Sequence, residues 1–368
     1  MPTRSPKRTT IADVAARAGV SKMAVSFALN GQPGVSEQTR QRVIDAADAL
    51  GWRPNSAARS LSVDRAGAVG LVLARSADSL ETETFYLRLL AGIESELSTT
   101  STALSLQIAQ DPEREAQIYR TLAAERRVDA VLISDVLVDD PRIALLHELR
   151  LPAVVLGDEP CGFPVLGSDD AGANELVLDH LQALGHRRVA RVTESASREY
   201  TQRRNRSFLD GLARRGMTGD VREGQATSEL GETATAAFLA SSERPTAIVY
   251  DSDLLAVAGL EVLRGAGVAV PDAMSVVAWD GSILSQIVRP RLTSVKRDVM
   301  ALGREAGRQL LLAAAAGYLG DVREGGAGGG DDSGAAGGSG GFVADGHDFS
   351  QPRLAIADST AAAPPAAR

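Results

Sequence analysis

The sequence has a single cysteine and only four histidines in 368 residues. Cys161 therefore cannot form an intrachain disulfide, and a cysteine-based zinc site is excluded. No apolar run approaches the ~18–20 residues that a membrane-spanning helix needs, and the basic start of the chain leads into no apolar signal segment. Nucleotide-binding glycine motifs and the His-Glu-x-x-His zinc motif are also missing. These absences predict a cytoplasmic protein without disulfide, metal or cofactor.

Charge is distributed unevenly along a chain of ordinary composition, which is 44% hydrophobic and 23% charged. Residues 1–65 contain ten Lys and Arg against five Asp and Glu, a net charge of +5. The rest of the chain contains 29 basic and 42 acidic side chains, a net charge of −13 that brings the total to −8. A small basic segment on a larger acidic body favours contact of that segment with a polyanion. A solvated basic tail would have the same charge, so the residue pattern must decide.

The basic segment has the pattern of three short helices. Residues Thr10–Asp13 form a capping box, and apolar residues then recur at helical spacing until Gly19. Ser21 caps a second helix, and Ser36 caps a third that extends to Leu50. Two short helices joined by a glycine-containing turn and backed by a third predict a helix-turn-helix domain, which we place at residues 1–54.

The second helix has an apolar pair on its outer side. At 100° per residue, Met23 and Phe27 lie opposite Val25, which faces the predicted core. The major groove of DNA offers thymine methyls for apolar contact, so we expect this helix to lie in the groove. The alternative is that the pair packs against the rest of the chain. Polar residues of the same helix are placed to contact phosphates, namely Ser21, Lys22 and Ser26.

A short segment with an Asn cap, Asn55–Leu61, follows this domain. It is too short to be stable as an isolated helix. We therefore interpret residues 55–65 as a hinge and linker whose helix orders only against DNA.

From residue 66 onward, apolar strands alternate with helical periods in two successive series. This alternation predicts an α/β body of two parallel-sheet lobes. A Gly-x-Ser-x-Gly match at 337–341 lies in a glycine run, without the strand and helix that a nucleophile elbow needs, so catalysis has no support. The predicted strands are 68–73, 103–108, 129–133, 153–156, 189–193, 246–250 and 275–279, and the predicted helices are 84–97, 113–125, 141–149, 171–184, 201–215, 231–240 and 253–264.

Short motifs run through the whole chain in a fixed order. The first segment contains Thr10-Ile11-Ala12-Asp13-Val14-Ala15, Gly19-Val20-Ser21, Val25-Ser26, Asn30-Gly31, Val35-Ser36 and Asn55…Ala58-Arg59-Ser60-Leu61. The body contains Leu184-Gly185-His186-Arg187-Arg188, Trp279-Asp280 and Leu292-Thr293-Ser294-Val295. In order and spacing these motifs resemble the lactose/galactose-repressor, or LacI-type, transcriptional regulators.

The resemblance implies a homodimer or larger assembly that binds the two half-sites of a palindromic operator. It also implies that Leu61 wedges into the minor groove at the operator centre. Phe27 stands where the family commonly has Arg, so we expect thymine methyls in the half-site near this residue. The implied DNA-binding residues are Thr10, Ser21, Lys22, Met23, Ser26, Phe27, Asn30, Asn55, Ala58, Arg59 and Leu61.

For the body, the resemblance implies a periplasmic-binding-protein-like sensor with an effector in the cleft between its lobes. The chain is then expected to cross between lobes near 160–167, near 290, and after a helix at 298–316. Acidic and Arg side chains beside a flat aromatic ring suit a polyhydroxyl ligand, so we expect a carbohydrate effector that either induces or co-represses. The implied effector-binding residues are Phe85, Tyr86, Asp158, Arg204, Ser252 and Asp280.

The C-terminal part combines a glycine-rich stretch with a resemblance to the family's last strand. We interpret 320–341 as a flexible insertion, 66–319 and 342–360 as the effector-binding and dimerisation domain, and 361–368 as a disordered tail. The chain is thus expected to be a cytoplasmic, nucleoid-associated repressor and not an enzyme, with no membrane partner. The alternative is a solute-binding or sugar-modifying protein with an incidental basic segment.

Overall fold

Three helices make up the core of the N-terminal unit, which ends at Gly67 in the computed structural model. They are α1 (Ile11–Ala18), α2 (Lys22–Leu29) and α3 (Glu37–Ala49), as the sequence predicted. Asp13 accepts from the backbone N–H of Thr10 at 2.8 Å, and Gly19 ends α1 in the left-handed conformation with φ 66°. The helices pack around the fully buried Val14, Val25 and Val43.

The structure describes residues 9–29, 33–52, 65–75, 84–317, 343–344, 347–348 and 351–365. Within these ranges no helix combines the length and the apolar character required to cross a membrane. The predicted hinge at 55–61 and the glycine-rich stretch at 320–341 lie outside the described residues.

The first lobe of the body is a parallel sheet with strand order β2-β1-β3-β4-β5. Helices flank this sheet because its strands are apolar on both faces, as in the fully buried Val131 and Leu132. The strands are β1 (Ala68–Ala74), β2 (Ala103–Ala109), β3 (Ala130–Ile133), β4 (Ala153–Leu156) and β5 (Val165–Leu166). The helices are Thr84–Leu97, Pro112–Ala124, Pro141–Glu148 and Val299–Ala316.

The second lobe has strand order β13-β10-β9-β8-β6-β7, parallel except for the antiparallel β13. Its core is built on Trp279, Phe208 and Phe238, all of which are buried. The strands are β6 (Val189–Glu194), β7 (Val221–Gly224), β8 (Ala247–Tyr250), β9 (Ser275–Trp279), β10 (Thr293–Lys296) and β13 (Arg353–Ala355), and β11 (Val343–Ala344) pairs with β12 (His347–Asp348) in a separate ribbon. The helices are Asp170–Ala183, Glu199–Arg214, Ser228–Ala240, Asp253–Gly265 and Ile283–Ile287.

The chain passes between the lobes at points that differ in part from those expected. The first crossing lies between β5 and the helix that begins at Asp170. The second lies at 297–298, so the expectation of a crossing near 290 is wrong. The physical reason is that β10 still belongs to the second lobe, where Val295 pairs with Trp279 of β9 and with Leu354 of β13.

The end of the chain is tied to the second lobe as far as it is described. Ser359 Oγ accepts from the backbone N–H of Thr293 at 2.8 Å, and the N–H of Ala363 donates to the carbonyl of Leu184 at 2.8 Å. The buried His186 also lies 3.1 Å from the carbonyl oxygen of Ala361. These contacts contradict the expected disorder for residues 361–365, because a backbone held by buried partners has little freedom. Residues 366–368 lie outside the described part.

Candidate functional site

A cavity of about 820 Å³, measured out to its open mouth, lies between the two lobes of the body. It forms where the carboxyl ends of parallel strands from both sheets meet, which is where open α/β sheets bind ligands. The first lobe lines it with Arg75, Phe85, Ser134, Asp135 and Asp158, the second with Glu194, Tyr200, Arg203, Arg204, Asp251, Ser252 and Asp280, and the crossings with Ser168 and Arg297.

Five of the six predicted effector residues line this cavity, and Tyr86 does not. Its side chain is only 4% exposed and packs in the core of the first lobe. The Tyr86 hydroxyl donates to Asp135 at 2.5 Å, so this residue positions a carboxylate and cannot stack on a ligand. Neighbouring helix residues point about 100° apart, so Phe85 faces the cavity while Tyr86 faces the core.

Arg204 lies on the floor of the cavity among aromatic rings and acids. Its guanidinium sits 4.8 Å from the ring centre of Tyr200 and 5.1 Å from that of Trp279. Nε lies 2.9 Å from Oδ1 of the buried Asp170. Burial would lower the pKa of Arg204, but the charges of Asp170 and Asp251 raise it instead, so the side chain stays charged.

Asp280 follows β9 with φ 86°, a left-handed conformation that is unusual for a non-glycine residue. Its carboxylate lies 2.5 Å from Arg297, whose guanidinium also lies 5.7 Å from the ring centre of Phe85. A residue of the second lobe is thereby linked through Arg297 to an aromatic ring of the first lobe.

Asp158 and Ser252 have local partners in addition to their place on the cavity wall. Asp158 forms an ion pair with Arg203 across the two lobes. Burial raises the pKa of Asp158 to about 6, against the opposing charge of Arg203. Ser252 caps the Asp253–Gly265 helix, where its Oγ accepts from the N–H of Leu255 at 3.3 Å. Each side chain thus has a structural role as well as access to the cavity.

Sequence reasoning missed most of the charged lining. Arg75 comes directly after β1, Asp135 closely follows β3, Glu194 ends β6 and Asp251 follows β8. The signal was available, since polar residues at the carboxyl ends of parallel strands mark binding sites. The carboxylate of Asp251 is oriented by two hydrogen bonds, which the fully buried Arg191 and Thr193 donate.

The charges of the cavity wall balance one another. Arg75 pairs with Asp135, Arg203 with Asp158 and Arg297 with Asp280, while Arg204 faces Asp170. A charged ligand would have to break such a pair, whereas hydroxyl groups can add hydrogen bonds to both members. The site therefore suits an uncharged, polyhydroxyl ligand that places one apolar face on Phe85.

In the N-terminal unit, the two apolar residues on the outer side of α2 differ in their exposure. Met23 is 66% exposed, but Phe27 is half-buried and its ring packs against Gly34. Ser21 caps α2, where its Oγ accepts from the N–H of Ala24 at 3.1 Å, and Lys22 is exposed beside it. Thr10 hydrogen-bonds Asp13, and Ser26 lies half-buried on α2. The predicted DNA-binding residues Asn30, Asn55, Ala58, Arg59 and Leu61 lie outside the described residues.

Fold and cavity together define a class of protein: a helix-turn-helix unit followed by a bilobed α/β sensor with a ligand-sized interlobe cleft. Residues 10–55 match the family model of bacterial regulatory proteins of the lacI family, and residues 178–317 match the periplasmic binding protein-like domain. The HTH-type transcriptional regulator CelR of Thermobifida fusca is 32% identical over 83% of this chain and 92% of its own length. The chain belongs to the lacI family of bacterial regulatory proteins.

Two solved structures support the same assignment. A complex of the transcriptional regulator CelR with cellobiose aligns with 96% of this chain and all of its own, with TM-score 0.67 and 28% identity. The lac repressor dimer bound to operator and the anti-inducer ONPF aligns with 85% of this chain and 94% of its own, with TM-score 0.74 and 25% identity.

Proposed function

We propose that this chain is a transcriptional repressor whose affinity for operator DNA is set by an uncharged carbohydrate bound between its two lobes. The observation that carries the proposal is the interlobe cavity, which paired Arg and Asp side chains line together with the ring of Phe85, in a chain that also has a helix-turn-helix unit. Hydroxyl-rich ligands bind through such paired charges because each hydroxyl both donates and accepts.

The DNA-binding part of the proposal places α2 in the major groove, with Met23 against thymine methyls and Ser21 and Lys22 near phosphates. The half-buried Phe27, whose ring lies beside Gly34, contributes its exposed edge. Similarity to a lac repressor solved as a dimer on its operator supports binding as a dimer to a palindrome.

The effector part places Phe85, Asp158, Arg204, Ser252 and Asp280 against the ligand. Support comes from a similar regulator that was solved with cellobiose. The proposal includes no catalytic step, since relatives such as CelR are regulators. Effector and operator are then coupled by linkage, typically ~1–3 kcal/mol, and the coupling acts equally in both directions.

A two-part titration tests the proposal. Gel-shift titration with DNA from upstream of the chain's own gene, against a random duplex of equal length, should show preferential binding to a palindrome. Calorimetry with mono- and disaccharides, sugar acids and nucleobases should then show binding of an uncharged sugar that changes operator affinity. The Asp280→Asn variant, which tolerates the left-handed backbone, should lose at least tenfold in sugar affinity and keep its DNA affinity. Equal affinity for both duplexes, or sugar binding unaffected by the variant, would overturn the corresponding part.

A further inference from the structure

Six side chains meet at one edge of the interlobe cavity, three from each lobe. The first lobe provides one Arg, one carboxylate and one Tyr, and the second lobe provides the same three groups. They are Arg75, Asp135 and Tyr86 from the first lobe, and Arg198, Glu194 and Tyr200 from the second.

Within each lobe the three groups are already paired. Arg75 contacts both oxygens of Asp135, at 2.5 and 2.8 Å, and Tyr86 donates to the same carboxylate. In the second lobe Arg198 Nε lies 3.1 Å from Glu194, which also accepts from the Tyr200 hydroxyl at 2.9 Å. Each half therefore has no net charge and is hydrogen-bonded on its own.

Further ion pairs cross from one lobe to the other. Arg198 Nη1 lies 3.0 Å from Asp135, and Arg75 Nη2 lies 3.6 Å from Glu194. Burial would raise the pKa of Asp135, but the charges of Arg75 and Arg198 lower it, so the carboxylate is ionised at neutral pH.

The backbone joins the lobes at the same place. The N–H of Val138 donates to Ser197 O at 3.0 Å, and the N–H of Glu199 donates to Val136 O at 2.9 Å. Leu137 and Arg198 form an isolated antiparallel bridge. Two cavities adjoin this contact: the effector cleft, and a second space of about 930 Å³, again including its open mouth, lined by Asp135, Leu137 and Arg198 among others. At this place the backbone contact between the lobes consists of these two hydrogen bonds and the bridge.

We propose that these six side chains and the bridge at Leu137 and Arg198 form an interlobe clasp that holds the cleft closed before any effector binds. The clasp can be released at low cost because each half keeps its own ion pair when the lobes separate. At the clasp, opening breaks the two crossing ion pairs and two backbone hydrogen bonds and leaves each clasp charge with its partner from the same lobe. Together with the Asp158–Arg203 pair, which also crosses the lobes, the clasp sets the fraction of molecules that are closed in the effector-free protein.

The consequence for regulation rests on the proposed function. If the effector binds the closed form, its apparent affinity is the intrinsic affinity multiplied by the closed fraction. Weakening the clasp then weakens effector binding through a residue, Arg198, that does not line the effector cleft.

Hydrogen exchange of the effector-free full chain tests the clasp directly, without ligand or DNA. The amides of Val138 and Glu199 should be protected in the wild type. The Arg198→Gln variant should exchange both at least about fivefold faster, which corresponds to the typical net contribution of about 1 kcal/mol for one hydrogen bond. Amides of β9 should stay unchanged, which shows that the lobe is folded. Glu194→Gln, which also removes one charge of the clasp, is the second variant.

The matched control is Arg215→Gln, which removes an Arg whose partners, Glu175 and Asp179, belong to its own lobe. It should leave exchange at Val138 and Glu199 as in the wild type. Wild-type amides that exchange at the rate of an unstructured chain, or clasp variants that exchange like the wild type, would overturn the clasp.

Calorimetry tests the regulatory consequence: Arg198→Gln should bind the uncharged sugar more weakly by the factor by which hydrogen exchange shows its closed fraction to have fallen, and Arg215→Gln should bind it as the wild type does. If the wild type binds no sugar, the proposed function fails while the exchange experiment still decides the clasp. Sugar affinity unchanged in Arg198→Gln, although exchange shows that less than half of the variant is closed, would overturn the regulatory consequence.

Discussion

At the scale of single residues, buried charge makes the second lobe sensitive to pH. Asp253 is buried, and its carboxylate accepts from the backbone N–H of Ser282. Burial raises the pKa of Asp253 to about 6, and the charge of Asp280 adds to this effect. Because the folded-state pKa lies above the unfolded value of 3.8, the stabilisation is fully present below pH 4 and is lost as the pH rises through 6.

We therefore expect Asp253→Asn to flatten the pH dependence of unfolding. Between pH 4 and 7 the wild type should lose about 2 kcal/mol of unfolding free energy through this group, and the variant should not show that loss. Urea unfolding at both pH values measures the difference. The control is Asp272→Asn, which replaces an exposed carboxylate and should run parallel to the wild type. A variant with the full wild-type slope would disprove this origin of the pH effect.

The apolar residues of α2 give a second prediction at this scale. Met23→Ala should weaken operator binding by about 1 kcal/mol, the cost of an apolar contact to a thymine methyl, and leave stability unchanged because the side chain is exposed. Phe27→Ala should lower both operator affinity and stability, because the ring packs on Gly34. Fluorescence anisotropy and thermal melting separate the two effects.

The exposed Gln41→Ala on α3 serves as the control for both substitutions in α2. Normal operator binding by Met23→Ala would show that α2 does not use this residue in the groove.

Residue contacts were only partly predictable from the sequence. Motif positions located Phe85, Arg204 and Asp280, because each follows a recognisable local pattern. The same reasoning misplaced Tyr86, since a motif gives the order of residues but not which side of a helix faces the core. Arg75 and Glu194 could have been placed at the cavity from their positions at strand ends, but their pairing could not, because it joins residues more than one hundred positions apart.

At the scale of elements, the crossing of two helices in the first lobe depends on glycine. The Thr84–Leu97 and Val299–Ala316 helices touch at Gly92 and Gly303. A Cβ atom on Gly303 would lie 2.3 Å from the carbonyl oxygen of Leu89 and 2.9 Å from Cα of Gly92. Backbone atoms cannot move aside as a flexible side chain can, so the helices would have to separate.

Gly303→Ala should therefore lower the unfolding free energy by about 1–3 kcal/mol, the usual cost of overpacking. Gly265→Ala is the matched control, since a Cβ there meets no atom within 4 Å. That control should leave the unfolding free energy unchanged or raise it by up to about 1 kcal/mol, because Ala lowers the conformational entropy of the unfolded chain. Urea unfolding compares the two, and equal stability of both variants would refute the close crossing.

Elements with strong periodicity were predictable, and short ones were not. The first helix of this crossing was predicted with its observed bounds from its amphipathic period, which is a local pattern, and the second, expected at 298–316 from the family resemblance, begins one residue later. β7 has the sequence Val221–Gly224 with two charged residues in its centre, and β5 has only two residues. Neither has enough apolar character for a pattern, and each exists because the neighbouring strand offers hydrogen bonds.

At the scale of the whole molecule, sequence order could not give the spatial order of the strands. Alternating strands and helices predicted two parallel sheets, but β13 joins the second sheet beside β10 from more than fifty residues away. The cleft likewise depends on chain crossings at 167–169 and 297–298, which bring separate segments to one cavity. The positions of those crossings depend on which strands belong to each sheet, and no local sequence pattern contains that information.

The uneven charge of the chain gives the last prediction, a difference between its two binding reactions. Operator binding releases counterions from phosphates, so raising salt from 50 to 200 mM should weaken it by at least about a hundredfold. Sugar binding should change by less than about twofold, because the charges of the cavity wall are already paired and the ligand is neutral. Anisotropy with operator and calorimetry with sugar, on one preparation, measure both slopes. A steep slope for the sugar would mean that the cleft binds an ion, and a flat slope for the operator would mean that the basic unit does not neutralise phosphates.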